Sequence, residues 1–246
     1  MTPFQGMGYA LRGFSLANTR GIRRFVLIPV LINATLFIGL IWLAAGQFNT
    51  LMTWMTDALP SWLDWLTWLL WPLFALSVAL VLFYTFSTLA NLVASPFNGL
   101  LAEQVERHLV GQQTAETVSL WAVIRSIGPS LRSELRKLRY FLVRAVPILI
   151  LLLIPGLQII AVPLWFLLGA WVLAIEYTDY PMGNHNLLFA EQRRILQKNR
   201  MLSLGFGVTV MGMTLIPVVN FITMPVAVCG ATALWVERLR DQTQAH

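Results

Sequence analysis

The stretch NTRGIRRFVLIPVLINATLFIGLIWLAAG, residues 18–46, sets Arg20, Arg23 and Arg24 at the mouth of a run that holds no charged side chain over residues 25–46. That run, and a second uncharged run over residues 65–93, each exceed the ~20 apolar residues a helix needs to cross a bilayer. The rest of the chain agrees. Of its 246 residues, 57% are hydrophobic and 11% charged, whereas soluble domains carry about a quarter charged residues. The fold expected is an all-α integral membrane protein.

Charge placement supplies a topology. All 17 Lys and Arg precede Phe25 or follow Glu106, and residues 47–64 hold Asp57 and Asp64 with no cation. Because Lys and Arg accumulate on the cytoplasmic side, both termini and the middle of the chain are expected in the cytoplasm, with residues 47–64 outside. Trp54, Trp62, Trp65 and Trp68 suit an aromatic belt at that outer interface. The net charge of +6 then reports topology, and nucleic acid is not an expected partner. No charged, apolar and cleavage segments occur in that order before Arg24, so a cleaved signal peptide is not expected.

Along this single membrane domain, 1–246, the periodicity changes character several times. Phe4, Met7, Leu11 and Phe14 fit a short amphipathic helix over residues 3–17 lying on the membrane surface. Transmembrane helices are expected over 22–46 and 65–93. In ASPFNGLLAEQVERHL, Ser95 suits an N-cap and Pro96 the first helical position, which opens a cytoplasmic polar helical region over 95–140. Breaks are expected in VGQQTAETVS, residues 110–119, and at Gly128–Pro129.

The last hundred residues contain a repeat. LIPGLQIIAVP (153–163) resembles LIPVVNFITMP (215–225), and in both the second proline follows eight residues after the first. Proline removes a helical hydrogen bond and biases its predecessor out of the helix, so Pro155 and Pro217 end the first arms. The apolar arm 141–154 would cover roughly 21 Å at 1.5 Å per residue, less than the ~30 Å hydrocarbon core. The reading is two proline-broken, partially inserted helical hairpins over 141–177 and 201–237. Four short tilted spanning helices with proline kinks are the alternative. Broken helices at membrane depth line cavities or are buried in protein, and paired ones point to a transport site.

No enzyme is legible. There is no phosphate-binding G-x-x-x-x-G-K-[ST] loop and no dinucleotide fingerprint. No G-x-S-x-G elbow occurs. His108, His185 and His246 lack carboxylates at metal-ligand spacing, and Cys229 stands alone in an apolar segment. Neither catalytic residues, a metal nor a cofactor is expected. Three groups of polar residues carry two readings each. Arg23 and Arg24 either orient the first helix or, with free amides near Gly21 and Ile22, clamp a tetrahedral oxyanion at a helix N-terminus. Glu103, Glu106 and Arg107 are either a solvated helix face with an i,i+4 pair or a network at a pore entrance, helped by Arg132 and Arg136. EYTDYPMGNHN (176–186) gathers Glu176, Asp179, Asn184 and His185 as either an exit path or a turn capped by Asx side chains. Gln158, Asn220 and Thr223 are the strongly polar side chains between the paired prolines, and as a polar lining at the hairpin tips they give modest support for a pathway.

GIRRFVLIP, ASPFNGLLAEQ, LAIEYTDYP…NH and MPVAVCGATALW, taken together and in this order, resemble the CysZ family of bacterial sulfate permeases. The resemblance runs from about Gln5 to Asp241. It implies a bacterial inner-membrane protein, assembled as a homo-oligomer, that passes sulfate inward for cysteine biosynthesis. It also implies a sulfate site at Gly21, Ile22, Arg23 and Arg24. A pathway role is expected for Glu103, Glu106, Arg107, Asp179 and Asn220. The alternatives are a non-transporting membrane scaffold or sulfate-sensing regulator, and a lipid-modifying enzyme, which lacks a catalytic constellation.

Overall fold

The computed structural model describes residues 2–57, 67–111 and 120–243, and among these every regular element is a helix and none is a strand. The helices are α1 (Pro3–Ala17), α2 (Arg23–Asp57), α3 (Thr67–Val110), α4 (Leu120–Leu153), α5 (Gln158–Asn184), α6 (Phe189–Lys198), α7 (Arg200–Thr214) and α8 (Pro217–Leu234). α8 continues through one π-helical turn, Trp235–Leu239, into a short 3-10 turn. By length and composition Arg23–Leu43, Gln158–Asn184 and Pro217–Gln242 can each cross a membrane. The chain is an all-α membrane protein. Trp62, Asp64 and Trp65, and most of the expected break over 110–119, lie outside the described residues.

Where one domain was expected, contacts divide the chain into two units, Met1–Arg23 with Asn98–His246, and Arg24–Phe97. Among the described residues of the Arg24–Phe97 unit most apolar side chains face outward, Leu31, Ile38, Trp42, Leu76 and Val81 among them, while Val26 is buried. Two of its hydroxyls are returned to the helix: Thr35 Oγ1 donates to Leu31 O and Ser77 Oγ to Leu73 O, both at 2.8 Å. Lipid offers no hydrogen-bond partner, so a lipid-facing hydroxyl needs this internal acceptor.

Three boundaries differ from the sequence reading. α2 continues past Gly46 to Asp57, because no proline or glycine interrupts residues 47–57 even though their hydrophobicity falls. Ser95 and Pro96 do not start a helix; α3 runs through them. Proline removes one hydrogen bond, and burial of Leu101, Ala102 and Val105 along one face fixes the helical continuation. Gly128–Pro129 likewise lies inside α4, so the polar helix and the first hairpin arm are one helix rather than separate segments at 95–140 and 141–177. Pro155 falls just after the end of α4, in a turn with Gly156 at φ +88°. Pro217 follows an extended Ile216 and takes the first position of α8, where its missing N–H costs nothing.

The larger unit is held together by small residues. α1 lies against both α7 and α8, α4 packs on α5, and α5 packs on α7 and α8. The face of α1 that is buried is Gly6, Tyr9, Ala10, Gly13, Leu16 and Ala17, while Phe4, Met7 and Leu11 point outward. A Cβ on Gly6 would stand 2.0 Å from Leu202 O, one on Gly205 2.0 Å from Pro3 O, and one on Gly13 2.1 Å from Val226 O. Between α5 and α7 the same holds for Gly207, whose Cβ would meet Ala170 O at 1.8 Å. Membrane helices associate through such close backbone approach, because lipid already solvates larger apolar side chains.

The seam makes a testable distinction. Gly207→Ala should destabilise the protein by about 1–3 kcal/mol, the usual cost of overpacking. At roughly 2–4 °C per kcal/mol for a chain of this size, the detergent-solubilised unfolding midpoint should fall by several degrees. Gly212→Ala, with nothing within 4 Å of the added carbon, should leave it unchanged or raise it slightly, because alanine is the better helix former. Equal midpoints for the two variants would contradict the packing account.

Candidate functional site

The arginine stretch forms a tight turn between α1 and α2. Asn18 N donates to Phe14 O and Thr19 N to Leu16 O, closing α1. Ile22 N and Arg23 N then both donate to Thr19 O at 3.1 Å. The Ile22 amide is therefore not one of the free donors expected there. Gly21 has φ +96°, a left-handed conformation open to glycine at little cost, and nothing lies within 4 Å of where its Cβ would be. Ile22 is buried, whereas Arg20, Arg23 and Arg24 are exposed. The Arg24 guanidinium lies 5.0 Å from the Phe25 ring centroid. Among the described residues no carboxylate pairs with any of these three arginines. What the turn presents is a bare glycine backbone beside uncompensated positive charge.

The acidic residues of α3 form a second site. Arg107 pairs with Glu103 one turn away. Glu106 faces elsewhere: both its oxygens lie 2.9 Å from His185 Nε2, and Arg240 NH1 is 3.5 Å from Glu106 Oε1. The His185 ring sits 5.6 Å from the Trp235 ring, and Asn184 Nδ2 donates to Gly99 O at 2.9 Å. The end of α3, the end of α5 and the turn after α8 thus meet at one carboxylate. The Glu106 side chain is only 14% exposed, so it is not part of a solvated face. Trp235 Nε1 is buried without a hydrogen-bond partner. Arg136 is exposed, and the Arg132 side chain lies outside the described residues.

Asp179 belongs to a separate cluster. It pairs with Lys137 of α4 and accepts from Gln192 Nε2 of α6 at 2.6 Å. Gln192 also donates to Leu187 O. Asp179 lies inside α5, which runs to Asn184, so it does not cap a turn; the turn is confined to the residues after Asn184, where Asn186 has φ 59°. Asn220 is exposed in the first turn of α8. Twenty residues of helix separate it from Arg240, about 30 Å at 1.5 Å each, so it shares no site with Glu106. Two polar side chains expected to line the hairpin tips are already used. Gln158 Nε2 donates to Leu152 O at 3.2 Å, and buried Thr223 donates to Val219 O at 2.9 Å.

A further network was not legible in the sequence. Arg12 NH1 lies 2.7 Å from Glu237 Oε1, Tyr9 OH donates to Glu237 Oε2 at 3.0 Å, and Arg238 Nε donates to Tyr9 OH at 3.1 Å. These contacts tie α1 to the turn after α8 across more than 220 residues of sequence, a separation no local periodicity reveals.

Comparison with known proteins places these residues in a family. A family model described as sulfate transporter CysZ/etoposide-induced protein 2.4 matches residues 9–225. A protein of Pectobacterium atrosepticum named sulfate transporter CysZ is 44% identical over 237 residues, covering 96% of this chain and 86% of that protein. One of the same name from Vibrio cholerae serotype O1 is 47% identical over 238 residues, covering 96% and 95%. The match takes in the Gly21–Arg24 turn, the Glu106 cluster's α3 and α5 residues and both proline turns, and the chain belongs to the sulfate transporter CysZ/etoposide-induced protein 2.4 family.

Proposed function

We propose that this chain is a permease, not an enzyme, that admits sulfate across the bacterial inner membrane to supply cysteine biosynthesis. Its oxyanion site is formed by Gly21, Arg23 and Arg24, with Ile22, whose amide donates to Thr19 O, holding the turn. The observation that carries this reading is the exposure of Arg20, Arg23 and Arg24 at the head of an apolar helix with no carboxylate partner among the described residues. The first turn of a helix carries partial positive charge, so arginines there are unfavourable until an anion arrives. Two guanidinium forks suit the oxygens of a tetrahedral dianion, and Gly21 leaves its backbone open to approach. The names and 44–47% identity of the relatives support sulfate as the cargo.

The hairpins insert from the cytoplasmic side without crossing, with both termini in the cytoplasm. Arm length supports this. α7 has 15 residues, roughly 22 Å, which cannot span a ~30 Å core. The two arms of a hairpin end at the same depth, so α7 limits α8 in the second hairpin, and in the first the apolar part of α4, residues 141–153, limits α5. The tips expose mostly apolar side chains, with Ile159 at 82% and Val218 at 81%, beside the exposed Gln158 and Asn220. The amphipathic α1 lies at the membrane surface with Phe4, Met7 and Leu11 toward lipid. Glu103, Glu106 and Arg107 act along the route inward, while Asp179 and Asn220 line other parts of it. The permease works as a homo-oligomer.

Labelled-sulfate uptake into proteoliposomes of the purified protein tests the function directly; uptake no greater than in protein-free vesicles would refute it. Arg23→Lys with Arg24→Lys should insert normally, because lysine keeps the topogenic charge, but lysine lacks the planar two-pronged contact. Loss of one charge-assisted contact should then weaken sulfate binding about tenfold. The double alanine variant should bind none measurably. Full affinity in a correctly inserted double alanine protein would reduce the arginines to topology alone.

Glu106→Gln should lower the uptake rate while leaving equilibrium sulfate affinity near wild type, because it acts after the first site. An affinity loss matching the rate loss would move Glu106 into the binding site itself. For the hairpins, cysteines replacing Ile159 and Val218 in a Cys229→Ala background should resist membrane-impermeant maleimide added outside. Strong labelling of both from that side would show that the hairpins span.

A further inference from the structure

At Tyr140 the sequence of α4 changes from LRSELRKLRY to FLVRAVPILILLL, from charged to apolar. The Tyr140 ring is fixed at this boundary. Its hydroxyl accepts from Trp171 Nε1 at 2.9 Å, and its ring meets Phe189 edge-on with centroids 5.6 Å apart. Two guanidinium groups gather on it, Arg144 at 3.6 Å and Arg193 of α6 at 5.4 Å from the ring centroid. Their central carbons are therefore at most about 9 Å apart, the sum of those two distances. Among the described residues neither arginine pairs with a carboxylate. Arg193 Nε is buried with no hydrogen-bond partner. Lys137, one turn earlier on α4, is by contrast matched to Asp179.

Two like charges held this close, one with an orphaned buried N–H, lack an anion. What the anion is attached to follows from the surface beside it. Pro147, Leu151 and Ile154 continue the stripe of the arm on which Arg144 stands, Pro147 and Ile154 exposed and Leu151 half-buried. We propose that Arg144 and Arg193 grip the phosphate of an anionic phospholipid whose acyl chains lie along this apolar face of α4. Arginine forks suit phosphate oxygens, and basic clusters at the cytoplasmic end of membrane helices recruit anionic headgroups. Neither arginine belongs to the Gly21–Arg24 site, so this lipid site stands or falls independently of sulfate binding there.

The test uses purified protein in phosphatidylcholine nanodiscs into which phosphatidylglycerol is titrated. Unfolding midpoint and the number of lipids retained in native mass spectrometry are read together. Wild type should gain several degrees and retain at least one more phosphatidylglycerol than Arg144→Gln, Arg193→Gln protein, which should show no gain. Should the glutamine variant fail to fold, Arg144→Lys with Arg193→Lys keeps both stems and charges and should bind phosphatidylglycerol about tenfold more weakly, having lost the forks. An undiminished phosphatidylglycerol effect in whichever variant folds would overturn the proposal. So would an equal gain from millimolar inorganic phosphate in phosphatidylcholine alone that disappears in the Arg144→Gln, Arg193→Gln protein, which would mark a free-oxyanion site at this pair.

Discussion

The close approach of α1 to the backbones of α7 and α8 is the constraint on which the larger unit rests. Pro3 O and Leu202 O occupy the space where side chains of Gly205 and Gly6 would be, and Val226 O does the same at Gly13. Leucine or valine at these positions would add apolar surface, but lipid solvates such surface almost as well as protein does, so little would be gained. Backbone proximity supplies the dispersion and electrostatic contacts instead. Because α1 is held this way, its end at Ala17 is fixed. The turn that follows, with Gly21 left-handed and Ile22 buried, starts from a set position.

Charged residues in this molecule fall into two groups, and the division carries functional meaning. One group is matched: Glu103 with Arg107, Glu106 with His185 and Arg240, Asp179 with Lys137, Glu237 with Arg12. Such partners offset the cost of partly burying a charge, and all but the Glu103–Arg107 pair join helices distant in sequence. The other group has no carboxylate among the described residues. Besides the exposed Arg136, Arg139, Arg194 and Arg200, it includes the arginines around Gly21 and the pair on Tyr140. The first lies at the head of an apolar helix and the second at the polar end of an apolar arm, the two kinds of place where an anion brings the largest relief of repulsion.

Much of this was legible in the sequence because it depends on local chemistry. Uncharged runs longer than a bilayer is thick predict long apolar helices, and α2 and the first part of α3 follow. Pro155 and Pro217 are expected to end the arms before them, and α4 and α7 end at Leu153 and Thr214. Helix continuity through Pro96 and Gly128–Pro129 was misread, since proline weakens a helix by one hydrogen bond but packing on either side decides whether it ends. The Gly6, Gly13, Gly205 and Gly207 contacts were invisible, because a glycine's role as a seam depends on which helix lies opposite. The pairing of Glu106 with His185 joins positions 79 residues apart, beyond the reach of any periodicity. Gln158 and Thr223 looked like pathway residues by type, yet their hydrogen bonds go to backbone carbonyls.

The central claim is that the turn at Gly21–Arg24 holds a tetrahedral oxyanion. Selenate has sulfate's charge and shape and scatters anomalously at the selenium edge. An anomalous difference map from crystals of the unlabelled protein grown with selenate in place of sulfate should show its strongest peak within contact distance of the Arg23 and Arg24 guanidinium groups. A strong peak elsewhere, with none at these arginines under saturating selenate, would contradict the account.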